Sequence, residues 1–267
     1  MSTQRDRILN EMGLGPVWRL RGQGSFPVAS VEPPVEPPVE PPEGASVDST
    51  IETEFAASAP SNADRESRIA RMDWQALKPT VESCTACGLC NTRTNTVFGV
   101  GDEAADWLII GEAPGAEEDA RGEPFVGQAG RLLDNMLTAI DLNRHENVYI
   151  ANVLKCRPPG NRNPESSEVA QCSPYLKRQI AMIRPRIIIA MGRFAAQTLL
   201  ATDASISSMR GRVHQYEDVP LVVTYHPAYL LRTLPDKAKA WDDLLFARRT
   251  LQGVSTQGLK TQGLNPD

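Results

Sequence analysis

Residues 107–130, with the sequence WLIIGEAPGAEEDARGEPFVGQAG, decide the fold class that we predict for this chain. The four apolar residues at the start predict a buried parallel strand. A turn rich in Gly and Pro follows directly, and in open α/β sheets ligands bind at the carboxyl ends of the strands. Glu112 lies at that end, and Phe125 lies on a second glycine-flanked loop ahead of a helix. The stretch therefore predicts a ligand-binding turn, with an ordinary connecting loop as the alternative.

Two further predicted strands lead into polar residues. Residues 148–152, VYIAN, end with Asn152, and residues 222–225 lead into HPAYLLR, which begins with His226. Because the carboxyl ends of parallel strands meet at one edge of a sheet, we expect Glu112, Asn152 and His226 to face a common site.

Helical and strand patterns alternate along the central part of the chain. We predict helices at 66–78, 129–140, 174–183, 193–201 and 236–251, and strands at 107–111, 148–151, 187–190, 212–217 and 220–225. This order predicts an α/β fold, a three-layer α/β/α sandwich around a short, mostly parallel sheet.

The ends of the chain differ from this centre in composition. Residues 31–43 read VEPPVEPPVEPPE, so we predict a disordered Pro/Glu-rich linker at 23–65. Ahead of it, residues 1–22 include GLGPVWRL at Gly13–Leu20, which predicts a segment that docks on a protein partner or, equally, folds back on the main domain. We expect one domain at 66–251 and a disordered tail at 252–267.

Charge and hydropathy narrow the class of protein. The formal net charge of −5 comes entirely from residues 1–65, with 5 Lys/Arg and 10 Asp/Glu, whereas residues 66–267 hold 23 of each sign. A neutral domain can still present a local basic face to phosphates. No apolar run is long enough to span a membrane and the N-terminus lacks a signal core, so we expect a cytoplasmic protein without membrane contact. Nothing in the sequence requires more than a monomer.

The five cysteines form a second pattern. Cys84, Cys87 and Cys90 are spaced as C-x2-C-x2-C, and Cys156 and Cys172 follow as C-x15-C. A thiol cluster in a cytoplasmic chain indicates metal binding more than disulfides. Four thiolates suit a zinc ion or a [4Fe-4S] cluster, and the spacing by itself leaves both open.

Taken together, the motifs GEAPG, the strand ending in Asn152 followed by KCRPPGNRNP, and HPAYLLR resemble the uracil-DNA glycosylase superfamily, specifically its family 4, the iron-sulfur enzymes of bacteria and archaea. The resemblance covers about residues 84–249. It implies the sandwich fold above and a [4Fe-4S] cluster held by Cys84, Cys87, Cys156 and Cys172, with Cys90 as a spare thiol.

The resemblance also implies roles in the release of uracil from DNA. Glu112 would orient or activate the attacking water, His226 would donate a hydrogen bond to uracil O2, Asn152 would read the uracil edge, and Phe125 would stack on the base. Backbone groups at Gly111 and Ala113 would add uracil contacts, and the DNA contacts would come from Tyr229, Leu230, Leu231 and Arg232.

We therefore expect a monofunctional uracil-DNA glycosylase that leaves an abasic site and starts base excision repair. The main alternative is a non-catalytic iron-sulfur accessory protein that binds DNA on the same fold. A branch that becomes covalently trapped on DNA would need a histidine in the loop after Asn152, and KCRPPGNRNP has none. A phosphate-binding nucleotide hydrolase is disfavoured because the chain lacks G-x-x-x-x-G-K-[ST].

Overall fold

A six-stranded sheet forms the centre of the structure, a computed structural model that describes residues 62–261, with side chains described up to residue 253. The predicted partner-binding segment and nearly all of the predicted linker lie outside these residues. Within the described part of the chain, no helix is long and apolar enough to cross a membrane.

The sheet is parallel at its centre and antiparallel at both edges. Its strands are β1 (Val100–Gly101), β2 (Trp107–Gly111), β3 (Val148–Asn152), β4 (Ile187–Met191), β5 (Val213–Tyr216) and β6 (Val219–Thr224), in the order β1-β3-β2-β4-β6-β5. Strands β3, β2, β4 and β6 run parallel, while β1 and β5 pair antiparallel with their neighbours. The carboxyl ends of the four central strands therefore lie at one edge.

Nine α-helices occur among the described residues. They are α1 (Asn62–Ile69), α2 (Trp74–Glu82), α3 (Ala116–Arg121), α4 (Gln128–Thr138), α5 (Ser166–Ile183), α6 (Arg193–Leu200), α7 (Ile206–Met209), α8 (Pro227–Arg232) and α9 (Lys237–Thr261). Short 3-10 turns lie at Gly88–Asn91, Pro159–Asn161 and Leu234–Asp236.

Burial on both faces of the sheet explains why the central strands are almost wholly apolar. Every residue of β2, β3 and β4 is buried, as expected for parallel strands covered by helices on both sides. Alternate residues enter two separate cores: Ile109 packs with residues of α4, α8 and α9, and Leu108 packs with residues of α5, α6 and α7. The three-layer α/β/α architecture expected from the sequence is confirmed.

A third core joins the N-terminal helices to the cysteine-bearing segments. Ile69 of α1 and Leu77 of α2 pack in one buried cluster with Cys156, Cys172 and Tyr175. The helical region that precedes the sheet therefore forms a wall of the cysteine site.

The structure corrects two predicted helices near this third core. The helix predicted at 66–78 is two helices, because the Asp73 side chain accepts a hydrogen bond from Ala76 N at 2.8 Å and starts α2 afresh. The helix predicted from residue 174 begins at Ser166 instead. Its first turn is held by Glu168, which accepts from Glu165 N at 2.8 Å, and Pro174 is accommodated inside the helix.

Two further differences concern α3 and α9. Helix α3 was not predicted, because its six residues are too few to display helical periodicity. Helix α9 continues to Thr261, ten residues past the predicted end at 251. Extending an existing helix costs far less than nucleating a new one, so the polar residues after 251 continue it. The predicted tail at 252–267 thus overlaps this helix, and residues 262–267 lie outside the described part.

Candidate active site

The carboxyl ends of the central strands open into one cavity of about 810 Å³. Glu112 follows β2, Asn152 ends β3, and His226 follows β6, and all three line the cavity together with Phe125. Of the other predicted site residues, Ala113, Tyr229 and Arg232 also line it. The edge of the sheet thus brings together residues that are more than 100 positions apart in the sequence.

Asn152 presents an unsatisfied acceptor within the cavity wall. The residue is 2% exposed, and its Oδ1 is buried without a hydrogen-bond partner among the described residues. A buried polar atom without a partner is costly, so it indicates a place for a ligand donor. Asn152 is paired with Gly111 across the parallel strands, and a methyl group added at Gly111 would overlap both Asn152 Oδ1 and the Phe125 ring.

Phe125 is held in a left-handed backbone conformation with φ 54°. Arg144 fixes this loop: its Nη2 donates to Phe125 O at 2.7 Å and its Nη1 donates to Pro124 O at 3.3 Å. The same guanidinium pairs with Glu123 at 3.1 Å and Asp134 at 2.8 Å, with only 11% of its side chain exposed. Sequence reasoning missed Arg144, because it lies between α4 and β3 and outside every motif.

His226 is arranged as a neutral hydrogen-bond donor. Its Nδ1 accepts from Ala228 N at 3.2 Å at the start of α8, which leaves the ring proton on Nε2. Burial lowers the pKa of His226 to about 4; the negative charge of Glu118 opposes this and the positive charge of Arg232 adds to it. The ring stacks on Phe125 with centroids 5.4 Å apart and planes at 29°.

Glu112 and Glu118 both line the cavity, but their carboxylates have different surroundings. Burial raises the pKa of Glu112, and the positive charge of Arg193 opposes the rise. Glu118 acts as a clamp, because its Oε1 accepts from Val126 N at 2.9 Å and its Oε2 accepts from Gly115 N at 3.1 Å. Glu118 thus joins the loop after β2 to the loop that carries Phe125.

The loop after Asn152 adds residues that were not in the predicted site. Asn161, Arg162 and Asn163 of the sequence KCRPPGNRNP line the cavity. Arg162 is anchored by an ion pair with Glu168 at 2.6 Å. In the sequence, the polar run KCRPPGNRNP directly after the strand that ends in Asn152 could have indicated this part of the cavity wall.

The HPAYLLR segment forms α8, and the structure corrects its predicted DNA contacts. Tyr229 and Arg232 face the cavity, and Leu231 is 40% exposed. Leu230, by contrast, is 0% exposed and packs in the core under the sheet, so it presents no surface to DNA. The helical turn separates the two leucines, because neighbouring residues of a helix point about 100° apart. Leu234, on the next turn, is 58% exposed.

The fold places four of the five cysteines around one cavity and leaves the fifth outside it. Cys84, Cys87, Cys156 and Cys172 line one small cavity, and Cys90 is not among its lining residues. All five thiols are free. No group of three or more His, Cys, Asp or Glu side chains is drawn together as for a single metal ion anywhere in the described residues.

Hydrogen-bond donors surround the sulfur atoms of this cavity. Lys155 N donates to Cys172 Sγ at 3.2 Å, and Arg93 Nη1 donates to Cys156 Sγ at 3.1 Å. Burial raises the pKa of the Cys172 thiol to about 12, and the positive charge of Lys155 opposes the rise. Four cysteine sulfurs around one cavity supply the number of thiolate ligands that a [4Fe-4S] cluster takes.

Comparison with known proteins agrees with this architecture. Residues 98–245 match the family model described as UDG, the uracil DNA glycosylase superfamily. The fold and the site thus define a member of this superfamily.

Individual relatives indicate the family within this superfamily to which the chain belongs. The chain is 49% identical over 159 residues to a type-4 uracil-DNA glycosylase of Archaeoglobus fulgidus, covering 57% of this chain and 79% of that protein. It is 44% identical over 154 residues to one from Thermotoga maritima, covering 57% and 80%. A type-5 uracil-DNA glycosylase of Pyrobaculum aerophilum is 32% identical over 150 residues, covering 49% and 64%. The chain belongs to the type-4 uracil-DNA glycosylase family.

Proposed function

We propose that this protein is a monofunctional uracil-DNA glycosylase, which flips uracil out of DNA and hydrolyses its N-glycosidic bond to leave an abasic site. Such a reaction starts base excision repair. The observation that carries the proposal is the buried, unpartnered Oδ1 of Asn152, which lies in the same cavity wall as Phe125 and His226.

Base recognition follows from the two ends of the Asn152 amide. Its Oδ1 accepts the N3–H of uracil and its Nδ2 donates to the adjacent O4. Cytosine offers an amino group and an unprotonated N3 at these positions, so both hydrogen bonds are lost. Phe125 supplies the stacking surface for the base, and Arg144 and Glu118 hold its loop in place.

Charge develops in two places when the glycosidic bond breaks. The uracil ring becomes anionic at O2, and the neutral His226 donates its Nε2 proton as a hydrogen bond to that oxygen. The sugar becomes cationic, and the carboxylate of Glu112 stabilises it and orients the water that attacks C1′. The positive charge of Arg193 favours the ionised form of Glu112, which this role requires.

We assign the duplex contacts to α8 and its neighbours. Arg232 lines the cavity and is exposed, so it is placed to bind a phosphate. The exposed Leu231 fills the gap that the flipped nucleotide leaves in the stack. Tyr229 lines the cavity, and its hydroxyl donates to Asp236 at 2.6 Å.

We also propose a [4Fe-4S] cluster held by Cys84, Cys87, Cys156 and Cys172. The shared cavity of these four thiols and the N–H donors around them support this ligand set. The cluster would cross-link the segments on which its ligands lie and so brace the loop after Asn152. Cys90 keeps a free thiol.

We also propose that the protein is located in the cytoplasm, that it is a monomer, and that its segment Gly13–Leu20 binds a protein partner. The first two rest on composition, and the partner rests on the pattern GLGPVWRL in that segment.

Uracil release from a single-uracil oligonucleotide tests the proposed activity. Purified wild-type protein should release uracil, and Glu112→Gln and His226→Ala should lower the rate by at least about 100-fold while the protein stays folded. His145→Ala serves as the matched control, because His145 is exposed and outside the cavity. DNA binding without uracil release by the wild type would instead support the non-catalytic accessory protein.

A further inference from the structure

Lys155 lies between the two functional regions of the molecule and belongs to neither set of predicted residues. It follows Asn152 by three positions and directly precedes Cys156. Its side chain is 1% exposed and is among the largest fully buried side chains of the described residues. Lysine is almost never buried to this extent without a specific partner.

The contacts of Lys155 reach both regions. Its Nζ donates to the backbone oxygen of Asn152 at 3.0 Å and to Gln179 Oε1 at 2.6 Å. Its backbone N–H donates to Cys172 Sγ at 3.2 Å, and the residue lines the four-cysteine cavity. One residue thus touches the base-reading strand end and the sulfur site at the same time.

Gln179 is oriented to serve this lysine. Its Nε2 donates to Phe98 O at 3.0 Å and lies 3.4 Å from the hydroxyl of Tyr149. These contacts use the amide nitrogen and leave Oε1 directed at Lys155 Nζ. The position of the ammonium group is therefore set by a fully buried network.

The charge of Lys155 lacks a carboxylate partner. Both acceptors of Nζ are neutral oxygens, and no Asp or Glu between residues 62 and 253 forms an ion pair with it. A buried cation needs a compensating negative charge nearby. The neighbours whose negative charge would stabilise it are Cys172 and Cys156.

Residues 152–155, which Lys155 holds in place, also contact the end of strand β2 beside Glu112. Val153 N donates to Gly111 O at 3.0 Å, and Leu154 N donates to Glu112 O at 3.1 Å. A shift of residues 152–155 therefore moves the backbone beside Glu112 as well as the amide of Asn152.

We propose that Lys155 is a positioning residue that couples the four-cysteine site to uracil recognition. Its backbone N–H donates to Cys172 Sγ, and its Nζ fixes the carbonyl of Asn152 and hence the direction of the Asn152 side chain. The proposal rests on the proposed function, because it takes Asn152 as the reader of uracil.

The test compares Lys155→Met with Lys177→Met in full-length protein purified without oxygen. Methionine keeps most of the volume of the buried side chain and removes its charge and donors. Lys177 is exposed on the same helix as Gln179, so Lys177→Met controls for the loss of one positive charge. Two quantities are measured: the rate at which the visible absorbance of the cluster decays when a chelator is added, and the dissociation constant of free uracil.

We expect Lys155→Met to lose its cluster several-fold faster than wild type and to bind uracil at least tenfold more weakly. Lys177→Met should match wild type in both. Unchanged uracil affinity in a folded Lys155→Met variant, with or without faster cluster loss, would overturn the coupling.

A second variant keeps the test decisive when Lys155→Met does not fold. Gln179→Leu leaves the lysine and all thiols in place but frees the ammonium group from one of its two acceptors. It should retain the cluster and bind uracil several-fold more weakly, and wild-type affinity would refute the proposal. If wild-type protein with an intact cluster neither bound nor released uracil, the proposed function would fail first and the coupling with it.

Discussion

The protonation of His226 provides the sharpest quantitative prediction. The pKa of this residue falls from an ordinary 6.5 to about 4 in the folded protein, chiefly because burial disfavours the charged ring. The unfolded chain therefore takes up this proton first as the pH falls. Stability contributed by the neutral ring is complete above pH 6.5 and is lost progressively as the pH falls toward 4.

The size of the effect follows from the two pKa values. The shift from 6.5 to about 4 corresponds to about 3 kcal/mol in total, most of which is lost by pH 4.5. We expect wild type to lose about that much more free energy of unfolding between pH 7.5 and pH 4.5 than His226→Gln, which cannot titrate at this position.

Urea unfolding of both proteins across this pH range measures the difference, and His145→Gln controls for loss of an exposed histidine. In parallel, the rate constant kcat/KM for uracil release should show no inflection near pH 6.5, because His226 stays neutral there. Equal pH dependence in wild type and His226→Gln, or a His226 resonance that titrates near 6.5 by NMR, would refute the reasoning.

Three substitutions test other parts of the site. Arg144→Met removes the hydrogen bonds that hold the backbone of Phe125, and we expect uracil release to slow at least tenfold with about 2–4 kcal/mol less stability, measured by kinetics and urea unfolding. Gly111→Ala fills the space beside Asn152, so uracil affinity should fall at least tenfold in a folded protein. Leu231→Ala should slow release from duplex but not from single-stranded DNA, whereas Leu230→Ala should cost about 2–5 kcal/mol of stability.

Each of these substitutions has a result that contradicts it. Wild-type kinetics in Arg144→Met would show that Arg144 is not needed to hold the Phe125 loop. The control is Arg131→Met, which changes an exposed arginine on α4. Unchanged uracil affinity in Gly111→Ala would show that the base binds elsewhere. Equal loss on duplex and single-stranded DNA in Leu231→Ala would exclude a role in filling the stack.

Periodicity predicted the layers of this protein because parallel strands buried on both faces must be apolar throughout. The strands at 107–111 and 187–190 were placed to within one residue of β2 and β4. Helices were placed less well where local hydrogen bonds override the pattern. Asp73 divides one predicted helix into two, and this cap depends on a side-chain rotamer that composition does not reveal.

The candidate site was partly visible in the same way. Glu112, Asn152 and His226 lie at or just after strand ends, and parallel pairing brings strand ends together, so their meeting followed from chain order alone. Leu230 and Leu231 are the same residue type at adjacent positions, so the sequence does not distinguish them. Only the direction in which α8 packs decides that one is core and the other is surface.

The sequence by itself determined the fold class, the three strand-end residues and the thiol pattern, because these depend on local periodicity and on residue type. Tertiary structure alone decided that Arg144 holds the Phe125 loop, that Glu118 joins two loops, and that Lys155 lies buried between Asn152 and the cysteines. These contacts join residues on different elements, and their energies depend on distance and burial. Neither quantity exists until the chain has folded.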